Sequence, residues 1–170
     1  MTVSTGEINW VDYYQPDRKI FPYSIYWSPD GKKCLLTAGS DGRKDQWLLL
    51  LDVKSGKTSV IEHVHDDAWV GPLGLRNILW WPESQHISYI SEKSGYAHLY
   101  KASLDGKEIK PLTQGKFEIY QAQLSNDGKK WYLTTNEEHP GEHHFYSMPV
   151  EGGEREKITL TIGHNQAILS

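Results

Sequence analysis

"SPDGKK" at residues 28–33 returns as "SNDGKK" at residues 125–130, which is 125 − 28 = 97 positions further on. The residues after each copy are also similar. "KKCLLTAG" (32–39) is matched by "KKWYLTTN" (129–136), and "QWLLLLDV" (46–53) by "HHFYSMPV" (143–150). Each copy then meets a glycine turn, "KSGK" (54–57) and "EGGE" (151–154), before a last short run, "TSVIEH" (58–63) and "REKITL" (155–160). Asp-Gly supplies the positive φ that tight hairpin turns require, so each unit reads as short antiparallel strands joined by hairpins.

A middle copy, "NILWWPESQHISYISEKSGYAHLYKASLDGKEIKPLT" (77–113), lies between them with a degenerate first turn. With Pro29, Pro82 and Asn126 as equivalent marks, the periods are 82 − 29 = 53 and 126 − 82 = 44 residues. Four short strands per period of this length is the pattern of a β-propeller blade. A four-stranded blade buries its faces only against neighbouring blades, so the same hairpin chemistry has to recur. The alternative is three unrelated antiparallel hairpins in a sandwich, against which the regular spacing argues. The expectation is an all-β propeller fragment with about three complete four-stranded blades, at 23–63, 76–113 and 119–160. Partial repeats are expected at 1–14 and 165–170, because "VSTGEINWV" resembles a closing hairpin and Leu169-Ser170 repeats Leu124-Ser125. Rings of this kind hold about 4–8 blades, so the chain reads as a piece of a larger propeller.

Composition narrows the function classes. The 170 residues suit one domain. The formal net charge is −4, from 18 basic and 22 acidic residues, with no basic stripe for nucleic acid or an anionic membrane. The longest apolar run, 47–51, is far too short to span a bilayer. The N-terminal residues show neither a charged leader nor an apolar core of a signal peptide. Cys34, the only cysteine, allows no internal disulfide.

No catalytic machine is visible. The chain has no G-x-S-x-G, H-E-x-x-H, C-x-x-C or P-loop, and no glycine-rich dinucleotide fingerprint. Two polar clusters offer metal-ligand types. "EHVHDDAW" gathers His63, His65, Asp66 and Asp67 at a strand end, and "NEEHPGEHHF" gathers Glu137, Glu138, His139, Glu142, His143 and His144. The first is read as a solvated connector. Pro140-Gly141 marks the second as a turn tip, where polar residues are expected. Alternation also sends His143 and His144 to opposite faces. No metal and no cofactor is expected. Tyr26-Trp27 and Trp80-Trp81 occupy equivalent strands and are read as packing between blades. The long connector "DDAWVGPLGLRN" (66–77) breaks the repeat, and such segments commonly carry recognition residues.

The middle third carries a resemblance. "WVG" (69–71), "SEKSGYAHLY" (91–100) and "LTQGKFEI" (112–119) are similar to the later propeller blades of dipeptidyl peptidase IV-type serine peptidases of the prolyl oligopeptidase superfamily. "TGEINWVD" (5–12) and "YSIYWSPDGKK" (23–33) fit the same pattern. The resemblance implies an eight-bladed propeller that caps an α/β-hydrolase domain and gates oligopeptide access to it. The catalytic serine, aspartate and histidine would lie in that hydrolase domain, so this chain alone is expected to be non-catalytic. The family's paired glutamates, in a D-W-x-Y-E-E motif, bind the substrate amine; that motif is absent here, and Glu137-Glu138 does not carry the role over. The family's loop behind W-V-G reaches the cleft with an aromatic and an arginine. The aligned positions here are Leu73 and Gly74, with Arg76 two further on, so Trp69, Leu73 and Arg76 are the substrate-proximal candidates. The resemblance further implies a peptide substrate, a homodimer, and a periplasmic, secreted or membrane-anchored parent. The rival reading is a TolB-like or WD40-like propeller that serves as a protein-interaction module without a hydrolase.

Overall fold

The computed structural model describes residues 4–13, 19–71 and 74–167. It is all-β, with no helix among those residues. Twelve strands form three four-stranded antiparallel sheets in sequential order. The first holds β1 (Ile20–Trp27), β2 (Cys34–Ser40), β3 (Asp45–Leu51) and β4 (Thr58–His65). The second holds β5 (Arg76–Trp80), β6 (His86–Ser91), β7 (His98–Ser103) and β8 (Ile109–Pro111). The third holds β9 (Ile119–Leu124), β10 (Lys130–Thr135), β11 (His144–Pro149) and β12 (Glu156–Lys157). These are three blades of an open, partial propeller. Within the end repeats, residues 1–3, 14 and 168–170 lie outside the described residues. Residues 165–167 form no strand.

The duplicated turn has one geometry. Ser28, Ser103 and Ser125 each direct Oγ to the aspartate two residues on, at 2.6, 2.6 and 2.7 Å. Each of those serine oxygens also accepts the backbone N–H five residues on, from Lys33, Glu108 and Lys130. Gly31, Gly106 and Gly128 sit at φ of 68°, 70° and 68°. The degenerate "WPESQH" turn keeps this backbone: Trp81 N donates to His86 O at 3.0 Å, and Ser84 occupies the glycine position at φ 55°. A serine there adopts a conformation that L side chains resist.

The cores lie between the blades. Leu35, Leu48 and Ile61 of the first blade pack with Ile78, Ile87, Tyr89 and Tyr100 of the second. Ile90 and Leu99 on the opposite face of the second pack with Trp131, Leu133 and Met148 of the third. The middle sheet is thus covered on both sides, which is why β6 is buried along almost its whole length. Each large apolar side chain so buried stabilises by roughly 1.5–3 kcal/mol. A lone hairpin is marginal in water, so the blades hold one another up.

Hydrogen bonds reinforce this stacking. Trp80 Nε1 donates to Tyr26 O at 3.1 Å across the first interface. Trp81 is buried, donates Nε1 to Ser88 Oγ at 2.8 Å, and meets Trp131 edge-on at 6.3 Å. Trp27 departs from the packing expected of it and stands exposed, on a face of β1 that none of the described blades covers. Ahead of the first blade, Asp12 N donates to Gly56 O at 2.7 Å and Thr58 Oγ1 donates to Asp12 O at 2.8 Å. That segment therefore lies against the β3–β4 hairpin.

The outer strands end by a shared device. Thr113 Oγ1 accepts Leu99 N at 3.0 Å, and Thr159 Oγ1 accepts Phe145 N at 3.0 Å, each beside a buried histidine, His98 or His144. The threonine hydroxyl replaces a backbone acceptor at the place where the fourth strand peels away. This substitution is the physical content of "LT" at 112–113, and it leaves β12 shorter than "REKITL" suggested.

Candidate functional site

The connector after β4 is built from its own backbone. Asp66 Oδ1 accepts Ala68 N at 2.8 Å and Trp69 N at 3.0 Å. The bond from Trp69, then that from Ala68, holds this carboxyl below its ordinary pKa. Asp66 N donates to Lys44 O at 2.9 Å and Val70 N to Arg43 O at 2.7 Å, so the connector lies on the β2–β3 turn. Further on, Leu75 N donates to Gln46 Oε1 at 2.8 Å. Between these anchors Val70 is buried while Trp69 remains 56% exposed.

The result is an open pocket of about 310 Å³ lined by Tyr23, Arg43, Gln46, Trp69, Val70 and Gly71. Gly71 lies so close to Glu92 that a Cβ would come within 2.8 Å of its carboxylate. An exposed indole, a phenol and a guanidinium come together there, with the Glu92 carboxylate close by. The indole and phenol offer apolar faces, and the guanidinium offers donors for carbonyls. Among the described residues no serine hydroxyl or cysteine thiol hydrogen-bonds a histidine. The pocket has the parts of a binding surface, and none of its lining residues is a serine, threonine or cysteine.

The three sequence candidates fare differently. Trp69 lines the pocket. Leu73 lies outside the described residues. Arg76 pairs with neither Asp66 nor Asp67. It reaches from β5 to the next blade, where Nη1 donates to Tyr120 O and Nη2 donates to Ile119 O at 2.6 Å. Burial pulls its pKa below the ordinary arginine value, against the pull of Glu92 and Glu118. Beside it, Asn77 bonds both backbone groups of Ala122 in β9. The connector's end therefore serves to fasten blades together. Tyr23 and Arg43 escaped the sequence reading, since β1 and the β2–β3 turn meet residue 69 only through the fold.

The two polar clusters also separate. In the second, Glu137 is held by Arg155 at 2.6 Å, and Glu138 by Lys157 at 2.6 Å. His144 is buried against Glu142 at 2.8 Å, while His143 stacks on Tyr120, as the alternation required. In the first, His63 and His65 converge on a residue from another strand, Asp45.

All 170 residues match the family described as the dipeptidyl peptidase IV (DPP IV) N-terminal region. The chain belongs to that family. It is 28% identical to a probable dipeptidyl-aminopeptidase B of Aspergillus niger, over 88% of this chain and 18% of the relative. It is likewise 28% identical to a probable dipeptidyl peptidase 4 of Emericella nidulans, over 86% of this chain and 20% of the relative. The crystal structure of Porphyromonas gingivalis dipeptidyl peptidase 4 superposes with a TM-score of 0.77 at 19% identity, covering 89% of this chain and 21% of that one. A putative dipeptidyl aminopeptidase IV from Bacteroides ovatus gives 0.73 at 18%, covering 90% and 24%. These likenesses support the propeller fold. The chain spans about a fifth of the length of the curated relatives it matches.

Proposed function

We propose that this DPP IV N-terminal region is a non-catalytic propeller segment of a dipeptidyl peptidase IV-like serine peptidase. In this reading it gates oligopeptide substrates and helps bind them for an α/β-hydrolase domain, its partner in the parent protein, with a second copy of the parent completing a homodimer. The observation that carries the reading is the exposed Trp69 shelf beside Tyr23 and Arg43, held by backbone bonds on a propeller of this family. Trp69 would contact substrate directly, while Arg76 would act by holding β9 in place.

The chain alone is expected not to hydrolyse Xaa-Pro chromogenic dipeptides, and turnover that co-purifies with it would sink the non-catalytic half of the reading. In a peptidase assembled with these residues, Trp69→Ala is expected to raise KM for longer peptides more than for dipeptide amides. An indole on the gating surface meets only the extended substrate, so an equal effect on both substrates would remove the binding role.

A further inference from the structure

The first blade holds a donor set that the peptide-binding surface does not use. We propose that Asp45, His63 and His65 bind a divalent transition-metal ion, zinc by preference. His63 and His65 are two apart on β4 and share a face. The β3–β4 register sets Asp45 directly opposite His65 and Trp47 opposite His63. A His-x-His pair on one strand therefore meets a carboxylate from its neighbour.

Asp45 Oδ1 lies 2.9 Å from His63 Nε2 and 2.8 Å from His65 Nδ1, and the three ligand atoms fall within 4.8 Å of one another. Zinc bonds to nitrogen and oxygen are about 2.0–2.2 Å, so ligands spread tetrahedrally around the ion stand roughly 3.4 Å apart. Opening each contact to Asp45 by about half an ångström makes that room. Asp45 is only 1% exposed, whereas the His63 and His65 side chains are 43% and 41% exposed. The carboxylate is a fixed anchor, and the imidazoles remain reachable from water. The His63 ring lies flat on Trp47, at 5.0 Å and 3°, which restrains its rotation.

The outer nitrogen of His65 fits the same reading. With no ion bound, an ionised carboxylate only accepts, so both imidazoles donate to Asp45. A metal requires those nitrogens as lone pairs, and each ring then carries its proton on the other nitrogen. For His65 that nitrogen is Nε2, which faces Asp67 Oδ1 at 3.3 Å. A carboxylate receiving the outer N–H of a ligating histidine is the arrangement that fixes tautomer and raises ligand basicity. The pocket in front, about 550 Å³, brings Asp41 and Asp67 as well as Lys19 and Lys44, so the acidic groups offset the lysines at its rim. Two imidazoles and one carboxylate suit zinc, nickel or copper, not magnesium or calcium.

The test titrates the chelator-treated chain with zinc chloride by calorimetry and records the visible spectrum of the cobalt(II) form. The expected results are one ion per chain and cobalt d–d bands of nitrogen and oxygen ligation. His63→Ala and His65→Ala should each weaken zinc beyond the roughly 10–100-fold loss typical when only a partner of a ligand is removed, and Asp67→Asn should cost about 10-fold. Glu142→Gln should change nothing. Unaltered affinity in either histidine variant, loss of binding in Glu142→Gln, or a cobalt spectrum identical to the aqueous ion would overturn the proposal. The wild-type cobalt spectrum decides even where a variant fails to fold.

Discussion

The side-chain amide of Asn77 pairs with both backbone groups of Ala122, donating Nδ2 to its carbonyl at 3.0 Å and accepting its N–H on Oδ1 at 2.9 Å. A β5 side chain thereby stands in for a strand, and the second blade is stitched to the third. Asn77 holds φ 52°, a conformation asparagine tolerates better than most residues. Asn77→Ala strands the N–H and carbonyl of buried Ala122 and puts a poor residue at positive φ. The expected loss is about 2–6 kcal/mol, from roughly 1–3 kcal/mol for each of the two unsatisfied buried groups, and the left-handed strain adds to it. Urea unfolding measures it. Asn77→Gly keeps the backbone and isolates the hydrogen bonds; a loss under about 0.5 kcal/mol in both variants would show that Asn77 is no stitch.

The repeated turn allows a paired comparison. A Cβ on Gly31 would meet open space, whereas one on Gly106 would lie 2.7 Å from the Ile61 carbonyl oxygen of the preceding blade. Gly31→Ala should cost only the positive-φ strain, about 1–2 kcal/mol. Gly106→Ala should cost more, by roughly the 1–3 kcal/mol of an overpacked contact. Equal losses in thermal unfolding would mean that the blades slide apart without cost. Ser84→Gly, which relieves φ 55° in the degenerate turn, is expected to raise the melting temperature.

Thr113 separates shape from hydrogen bonding. Its hydroxyl accepts Leu99 N and faces His98 Nδ1 at 3.2 Å in a buried setting. Thr113→Val keeps the volume and orphans the Leu99 N–H, for about 1–3 kcal/mol. Thr113→Ser keeps the acceptor and should recover most of that loss in denaturant titrations. Valine and serine variants of equal stability would contradict this role.

His98 makes the fold sensitive to acid. Burial lowers its pKa from the ordinary 6.5, opposed by its bond to the Gly115 carbonyl and by Glu118, while Arg155 adds to the lowering. The unfolded chain thus takes up a proton at higher pH than the folded one does. Stability should be fully present above about pH 6.5 and fall as pH drops through the window between that value and the folded pKa, by up to about 1.4 kcal/mol per unit for one such group. His98→Gln should flatten that part of the stability-versus-pH curve; an unchanged slope would assign it to other groups. The turn aspartates Asp30, Asp105 and Asp127, held below their ordinary pKa first by their serine hydroxyls, add a loss at more acidic pH.

Local chemistry and period carry the part of this protein that can be read along the chain. Ser-x-Asp-Gly-Lys closes the same hairpin wherever it is written, because its bonds run within six residues. Recurrence of that hairpin two blade periods apart, with a degenerate copy between, made the three-sheet propeller legible, and the connector and "LT" segments made the family legible. Which distant groups meet was settled by the folded arrangement of the blades. Asp45 reaches His63 and His65 through strand register, Arg76 and Asn77 reach β9 through blade stacking, and Arg43 comes beside Trp69 because the connector folds back on the turn before β3. Such meetings depend on closing loops of tens of residues and on burying sheet faces. Each partner residue, read along the chain, looks like an ordinary polar position until another blade or strand arrives beside it.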